Sequence, residues 1–262
     1  MVKKRLDVLL TERGLAESRS QAQRLVMAGQ VRVDEQVVLK PSSKVADEAE
    51  VRVDHGPPFV SRGGEKLAAA LQAFDLRDLS GITCVDVGAS TGGFTDCLLQ
   101  AGAERVYAVD VGYGVLHWKL RTDSRVVVME RTNARFVERF PEPIDLVTID
   151  ASFISLRVLL PVVKQWFGER GQVIALIKPQ FEAGRAEVAR GEGVVRDPAI
   201  HRRVLKEVFE FVRGIGFEPR DLIRSPLLGP KGNTEFLVLL HYPAVPSGNA
   251  EDLIESVVPL HP

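Results

Sequence analysis

From residue 60 onward, short apolar runs alternate with stretches of helical periodicity, and this alternation limits the fold more than any other feature. The runs at 82–87, 106–111, 126–129, 144–149 and 173–178 are too short for helices and carry few polar residues on either face. A strand with one wet face would alternate, so these strands must be covered on both sides, as in a parallel sheet between helical layers. Amphipathic stretches, the first at 65–74, separate them. The pattern predicts an α/β fold with a parallel, doubly wound sheet. A last strand is expected at 235–241, after a turn-rich stretch from Pro226 to Asn233. Residues 243–262 contain four prolines and little pattern, and are expected to form a largely mobile tail.

The first 54 residues follow a different grammar. Leu6, Leu9 and Leu10 recur at helical spacing as far as Gly14. Ser18 and Gln21 form a capping-box pattern opening a second helix, which packs Ala22, Leu25 and Val26 and ends at Gly29. VRVDEQVVL and AEVRVD then read as alternating strands, and Asp54 to Pro58 as a breaker. The expected organisation is a small α+β domain at 1–54, a linker at 55–60, the large domain at 61–242 and the tail at 243–262.

The whole chain has 34 basic and 35 acidic residues, but residues 1–32 carry seven basic and three acidic ones. Such asymmetry fits a phosphate-facing surface on an otherwise neutral protein. Lys3, Lys4, Arg5, Arg19, Gln23 and Arg24 are the candidate RNA contacts, with Arg19 and Gln23 sharing a helix face at i, i+4. No apolar run is long enough to span a membrane. The first residues lack the apolar core and cleavage site of a secretory leader, so a reduced, cytoplasmic setting is expected. Two cysteines and histidines without ligand spacing predict neither a disulfide framework nor a metal site.

Chemistry concentrates first in DVGASTGGFTD, 86–96, between a predicted strand and a predicted helix. Glycines there let backbone approach a ligand at a helix N-terminus. Ser90 stands where a dinucleotide fingerprint needs glycine, which argues against NAD. Asp110 ends the next strand, where a carboxylate accepts hydrogen bonds from both hydroxyls of a ribose. Asp86 and the loop are expected to face the cationic amino-acid half of S-adenosylmethionine. The expected cofactor contacts are Asp86, Gly88, Ser90, Gly92, Gly93, Phe94, Asp110, Val111 and Asp150. Gly184 to Pro198, with Arg185, Arg190 and Arg196, reads as a substrate-facing loop. Lys178 closes the apolar run VIALI and needs a carboxylate partner or an open cleft.

DVGASTGGFTD, VYAVDVGYG, TIDASF and LIKPQFE resemble the TlyA family of ribosomal RNA 2′-O-methyltransferases, whose catalytic domain is similar to the FtsJ/RrmJ methyltransferases. LDVLLTERGLAESRSQAQRLVMAGQVRVDEQ resembles an S4 RNA-binding domain. The resemblance implies a Rossmann-like methyltransferase sheet preceded by an S4-like domain, S-adenosylmethionine as cofactor, and ribosomal RNA or ribosomal subunits as partner. It also implies a Lys-Asp-Lys-Glu catalytic tetrad at Lys66, Asp150, Lys178 and Glu235, and an adenine contact at Asn133. Lys178 is expected nearest the substrate hydroxyl with Lys66 beside it, either lysine being able to take the proton. Two other readings are a small-molecule methyltransferase and, from the hemolysin label some family members carry, a membrane-lytic protein. The basic N-terminal module and the lysine pair speak against the first. The lack of an apolar, basic-faced stretch of adequate length speaks against the second.

Overall fold

A computed structural model of the chain describes residues 3–54, 56–184, 191–245, 248 and 250–259. The chain forms two compact units, Met1–Pro58 and Phe59–Pro262.

In the first unit, β1 (Lys3–Arg5) runs directly into α1 (Leu6–Glu12), followed by α2 (Arg19–Met27). Strand β2 (Val31–Val33) lies between β3 (Gln36–Val37) and β5 (Val51–Val53), while β4 (Lys44–Ala46) pairs antiparallel with β1. Leu6, Leu9 and Leu10 from α1, Ala22 and Val26 from α2, and Val31 from β2 form its dry core. Ser18 caps α2 by accepting a hydrogen bond from the Gln21 amide at 3.2 Å, satisfying one of the orphan donors of the first turn. The Gln21 side chain reaches back to the Glu17 amide, one residue short of a reciprocal box.

The second unit opens with α3 (Gly63–Ala73) and contains β6 (Thr83–Val87), α4 (Gly93–Gln100), β7 (Arg105–Val109), α5 (Trp118–Arg121), β8 (Val126–Met129), β9 (Ile144–Ile149) and α6 (Leu156–Val163). It continues through β10 (Phe167–Ile177), α7 (Pro179–Glu182), α8 (Pro198–Gly214), β11 (Glu218–Arg224), β12 (Phe236–Tyr242) and α9 (Ala250–Val257). The seven strands are ordered β11-β12-β10-β9-β6-β7-β8. Hydrophobic cores lie on both faces, one built around Val147, Val173 and Phe209, the other around Leu67, Leu98 and Ile174.

Two expectations need correction. The sheet is not wholly parallel: β12 is antiparallel to both β10 and β11, and β11 itself was not foreseen. β11 reads EPRDLIR, an edge strand with a register shift between Pro219 and Asp221 that erases any clean alternation. Because the 225–235 turn joins β11 to β12 as a hairpin, no crossover helix intervenes and the last strand must run backwards. The tail is not patternless either. Leu253, Ile254, Val257 and Val258 return at helical spacing, and Ile254 and Val258 are buried in the larger core. Arg202 of α8 ion-pairs with Glu255 at 2.6 Å.

Candidate active site

The carboxyl ends of β6, β7, β9 and β10 meet at one edge of the sheet. β6 delivers Gly88, whose φ of +84° and missing side chain both matter: a Cβ would stand 2.9 Å from the Asp150 carbonyl oxygen. This allows the glycine loop to lie against the end of β9. Ser90 also takes a positive φ, +50°, and its amide donates to Asp110 Oδ2 at 2.8 Å. Gly112 N donates to Asp110 Oδ1 at 2.7 Å. Each carboxylate oxygen of Asp110 retains a second lone-pair site. Gly93 packs α4 against α3, since a Cβ there would collide with Ser61 and with the Gly64 amide.

Two cavities adjoin this edge. The first, about 560 Å³, is lined by Ser61, Lys66, Gly88, Ser90, Gly93, Phe94, Asp150 and the turn 227–231, among others. The second, about 490 Å³, is lined by Gly88, Ser90, Asp110, Val111, Asn133, Asp150 and Phe153, among others. Gly88, Ser90 and Asp150 border both. Asn133 accepts from the Arg135 amide at 3.1 Å, which fixes its side chain at the second cavity.

Asp86 departs from expectation. It has no solvent exposure and lines neither cavity; instead it accepts from Thr95 Oγ1 at 2.7 Å and Thr148 Oγ1 at 3.1 Å. Loss of hydration pushes its carboxyl up to about 7, against the lowering effect of the two threonines, with the charge of Asp150 raising it further. Its position in the middle of the sheet turns it inward, where it ties β6 to α4 and β9. Gly92 likewise borders neither cavity; it caps α4 at φ +97°, packed against Leu120.

The four tetrad candidates form two ion pairs. Lys178 Nζ bonds Asp150 Oδ1 at 2.6 Å, Ala151 O at 3.1 Å and Ser152 Oγ at 3.1 Å. Lys66 Nζ bonds Glu235 Oε2 at 2.6 Å, and Gln180 Nε2 approaches Glu235 Oε1 at 3.4 Å. All three Lys178 donors are therefore engaged, and Lys178 lines neither cavity, whereas Lys66 lines the first. The lysine facing open space is Lys66, contrary to the expected order. Asp150 shows Oδ2 without a hydrogen-bond partner among the described residues.

Ser152, Gln180 and Gly229 had not been singled out. Gly229 packs so tightly on Glu235 that a Cβ would overlap its carboxylate. Ser152 and Gln180 lay in the TIDASF and LIKPQFE motifs, but nothing in spacing assigns them partners. Arg196 lines a separate hollow of about 310 Å³ with His201 and Phe236, not either cavity. Arg185 and Arg190 fall outside the described residues. Among the RNA candidates, Arg5, Arg19 and Gln23 converge on the buried Asp7, which the sequence had not flagged. Lys4 pairs with Glu12 at 2.8 Å and Asp47 at 3.2 Å, Arg24 donates to Ser20 Oγ at 3.2 Å, and Lys3 is exposed. Among the described residues no cluster of histidine, cysteine or carboxylate suits a metal, and no helix is long and apolar enough to cross a membrane.

A seven-stranded sheet with one reversed strand, a glycine loop after the first strand and a carboxylate after the second defines a Rossmann-type methyltransferase domain. Residues 59–242 match the FtsJ-like methyltransferase family and residues 4–51 match the S4 domain; the chain belongs to the FtsJ-like methyltransferase family. It is 45% identical to the 16S/23S rRNA (cytidine-2′-O)-methyltransferase TlyA of Mycobacterium tuberculosis, over 90% of this chain and 89% of that one. It is 40% identical to Hemolysin A of Brachyspira hyodysenteriae, over 89% and 98% of the two chains. The two names thus attach to proteins of one kind. A solved structure named "Putative hemolysin from Streptococcus thermophilus" superposes with a TM-score of 0.74 at 45% identity, covering 98% of this chain and 95% of that one.

Proposed function

We propose that this protein transfers a methyl group from S-adenosylmethionine to a ribose 2′-hydroxyl of ribosomal RNA, working on ribosomes or their subunits in the cytoplasm. The observation that carries this reading is Asp150, ion-paired to Lys178 and bordering both cavities, so that a donor in one and an acceptor in the other meet beside it. The residues of the second cavity suit the cofactor. Asp110 has acceptor sites left for two ribose hydroxyls, Val111 and Asn133 flank the space an adenine needs, and Gly88 admits a close approach. When bound, the cofactor supplies a sulfonium methyl, already an activated electrophile.

The chain's own task is to align the ribose oxygen and manage its proton. Transfer would join the ribose oxygen to the methyl carbon and leave the carbon–sulfur electron pair on sulfur, and the hydroxyl proton would pass to a basic group at the junction, one of the lysines or Asp150. Lys178 engages one oxygen of Asp150, a residue that borders both cavities, and leaves the other oxygen for a ligand. Lys66 lies in the first cavity, and its pairing with Glu235 uses one donor, leaving others for charge developing on the ribose oxygen. Alignment itself lowers the barrier, because the two reactants are held rather than found.

The hemolysin label does not argue for a second function, since the TlyA relatives span nearly the same length at similar identity. The test is methyl transfer from labelled cofactor to naked ribosomal RNA, to each subunit and to whole ribosomes, followed by mapping of the product. Base-resistant label on a ribose supports the reading; label on a base, or none on any RNA, sinks it.

A further inference from the structure

Successive side chains of an extended chain point to opposite faces. At the entry to β12, Glu235 turns to Lys66, while Thr234 and Phe236 on either side of it line a separate hollow of about 310 Å³. That volume is at the lower end of the range for small-molecule sites, about 300–1,000 Å³. One side of the hollow is cationic. Arg196 and Arg224 are both exposed, and no carboxylate lines the space with them. Arg224 donates to Thr234 Oγ1 at 3.2 Å, and neither guanidinium meets a carboxylate among the described residues. Asp197, next to Arg196 in sequence, caps α8 by accepting from the Ala199 amide at 2.9 Å and does not line the hollow.

His201 is buried at the same hollow, with Nε2 on the Val195 carbonyl at 2.9 Å and its ring edge-on to Phe236 at 5.6 Å. Burial foremost, and the charge of Arg224, hold the imidazole below its ordinary value, against the Val195 carbonyl and Asp197. A neutral imidazole leaves the two guanidiniums as the charge of the site. The other side is apolar. Phe236 has no solvent exposure, and Val257, Val258 and Pro259 come from the end of α9 and the two residues after it. A bare inorganic anion would satisfy the guanidiniums and leave this wall wet, whereas a wholly apolar molecule would strip water from the guanidiniums without replacing it.

We propose that this hollow binds a small amphiphilic carboxylate, its charged end on Arg196 and Arg224 and its apolar body on Phe236, Val257 and Val258. Planar guanidinium forks suit the two oxygens of a carboxylate, and Thr234, which accepts from Arg224, keeps its hydroxyl hydrogen for the same group. That chemistry is carried by a free carboxylic acid or by the last residue of a peptide ending in an apolar side chain. The site is distinct from both cavities of the active site, and binding there requires neither cofactor nor RNA.

The experiment is calorimetry on the full chain, with 4-methylpentanoate and N-acetyl-leucine standing for the two sources. The probes 4-methylpentanamide, acetate and inorganic phosphate each lack one half of the ligand. The wild type should bind 4-methylpentanoate, N-acetyl-leucine or both saturably; preference for the first assigns a free acid, and for the second a peptide terminus. The neutral amide forfeits the charge-assisted bonds and acetate the apolar body, so each should bind about tenfold more weakly or worse. Arg196→Met and Arg224→Met, at exposed positions, should each weaken the preferred acid by about tenfold without lowering the melting temperature. Affinity unchanged in both variants overturns the proposal, as does displacement of the acid by S-adenosylmethionine, since either places the ligand elsewhere. Absence of saturable binding by both acids overturns it too. So does inorganic phosphate binding as tightly as 4-methylpentanoate, which leaves the apolar wall without a role. Should the arginine variants fail to fold, the amide and acetate comparisons on the wild type decide.

Discussion

Replacing Asp86 by asparagine should make the protein more stable above neutral pH and leave cofactor binding intact. Asp86 is fully buried, hydrogen-bonded to two threonine hydroxyls and the Thr95 backbone amide, with no cation beside it. Its carboxyl is pushed up from the ordinary 3.8 to about 7, chiefly by loss of hydration. The folded state thus keeps a proton that the unfolded chain gives up above pH 4. Stability from this group is therefore greatest in acid and is lost as pH rises through 7. At pH 8 ionising the buried group costs the folded state about 4 kcal/mol. Asparagine has nearly the same shape, accepts from one threonine and donates to the other, and cannot ionise. The difference in unfolding free energy between variant and wild type should be near zero at pH 4 and grow to about 2–4 kcal/mol at pH 8, a rise of roughly 5–10 °C in melting temperature. His201 and His241, both lowered by burial, also shape the pH profile, but they cancel in this comparison. Calorimetry from pH 4 to 8 measures the stability arm, and titration with S-adenosylmethionine the binding arm. A variant no more stable than wild type at pH 8 refutes the buried-carboxyl argument. A folded variant that has lost the cofactor would return Asp86 to the binding site.

Lys66→Met should reduce single-turnover methylation about 10²–10⁴-fold at saturating cofactor and RNA, because it removes the first-cavity cation that is paired with Glu235. Retention of more than a tenth of the rate would remove Lys66 from the chemistry. Asp110→Ala strands the Ser90 and Gly112 amides as well as the ligand's hydroxyls, so cofactor affinity should weaken by about 1–3 kcal/mol in calorimetry. Equal affinity in a folded variant contradicts that role. Gly229→Ala drives a methyl group into the Glu235 carboxylate, and turnover should fall while cofactor affinity stays put. Wild-type turnover would mean that the Lys66–Glu235 pair tolerates displacement.

Much of the architecture was legible because burial writes itself into composition. The strands at 126–129 and 144–149 were found to the residue, since they are mainly apolar and bounded by polar turns. β11 was hidden because an edge strand with a proline and four charged residues satisfies its backbone on one side only. The C-terminal helix was hidden for another reason: prolines at 243, 246, 259 and 262 drew attention from an apolar stripe between them. At the site, the sequence indicated which residue types end which strands, but not which way each side chain turns. Lys178 and Lys66 look alike as letters. One spends its three donors on residues 150–152, just after β9, and the other, on α3, meets Glu235, 169 positions away in the chain.

The same limit explains the two buried aspartates. Asp7 and Asp86 are both without solvent exposure, both follow an apolar residue, and both stand beside elements rich in leucine or valine. Desolvation acts on each in the same direction. What differs is the chemistry of the donors that folding brings up: two guanidiniums and a side-chain amide around Asp7, two hydroxyls and a backbone amide around Asp86. A guanidinium donates a hydrogen bond and carries a full charge, so it compensates the carboxylate's lost hydration; a hydroxyl offers only the hydrogen bond. One aspartate is consequently fixed as an anion and the other favours its proton at neutral pH. The first holds two guanidiniums in place, while the second ties β6 to α4 and β9 behind the glycine loop. Position in the sequence does not separate these roles; the partners contributed by β1 and α2 in one case, and by α4 and β9 in the other, do.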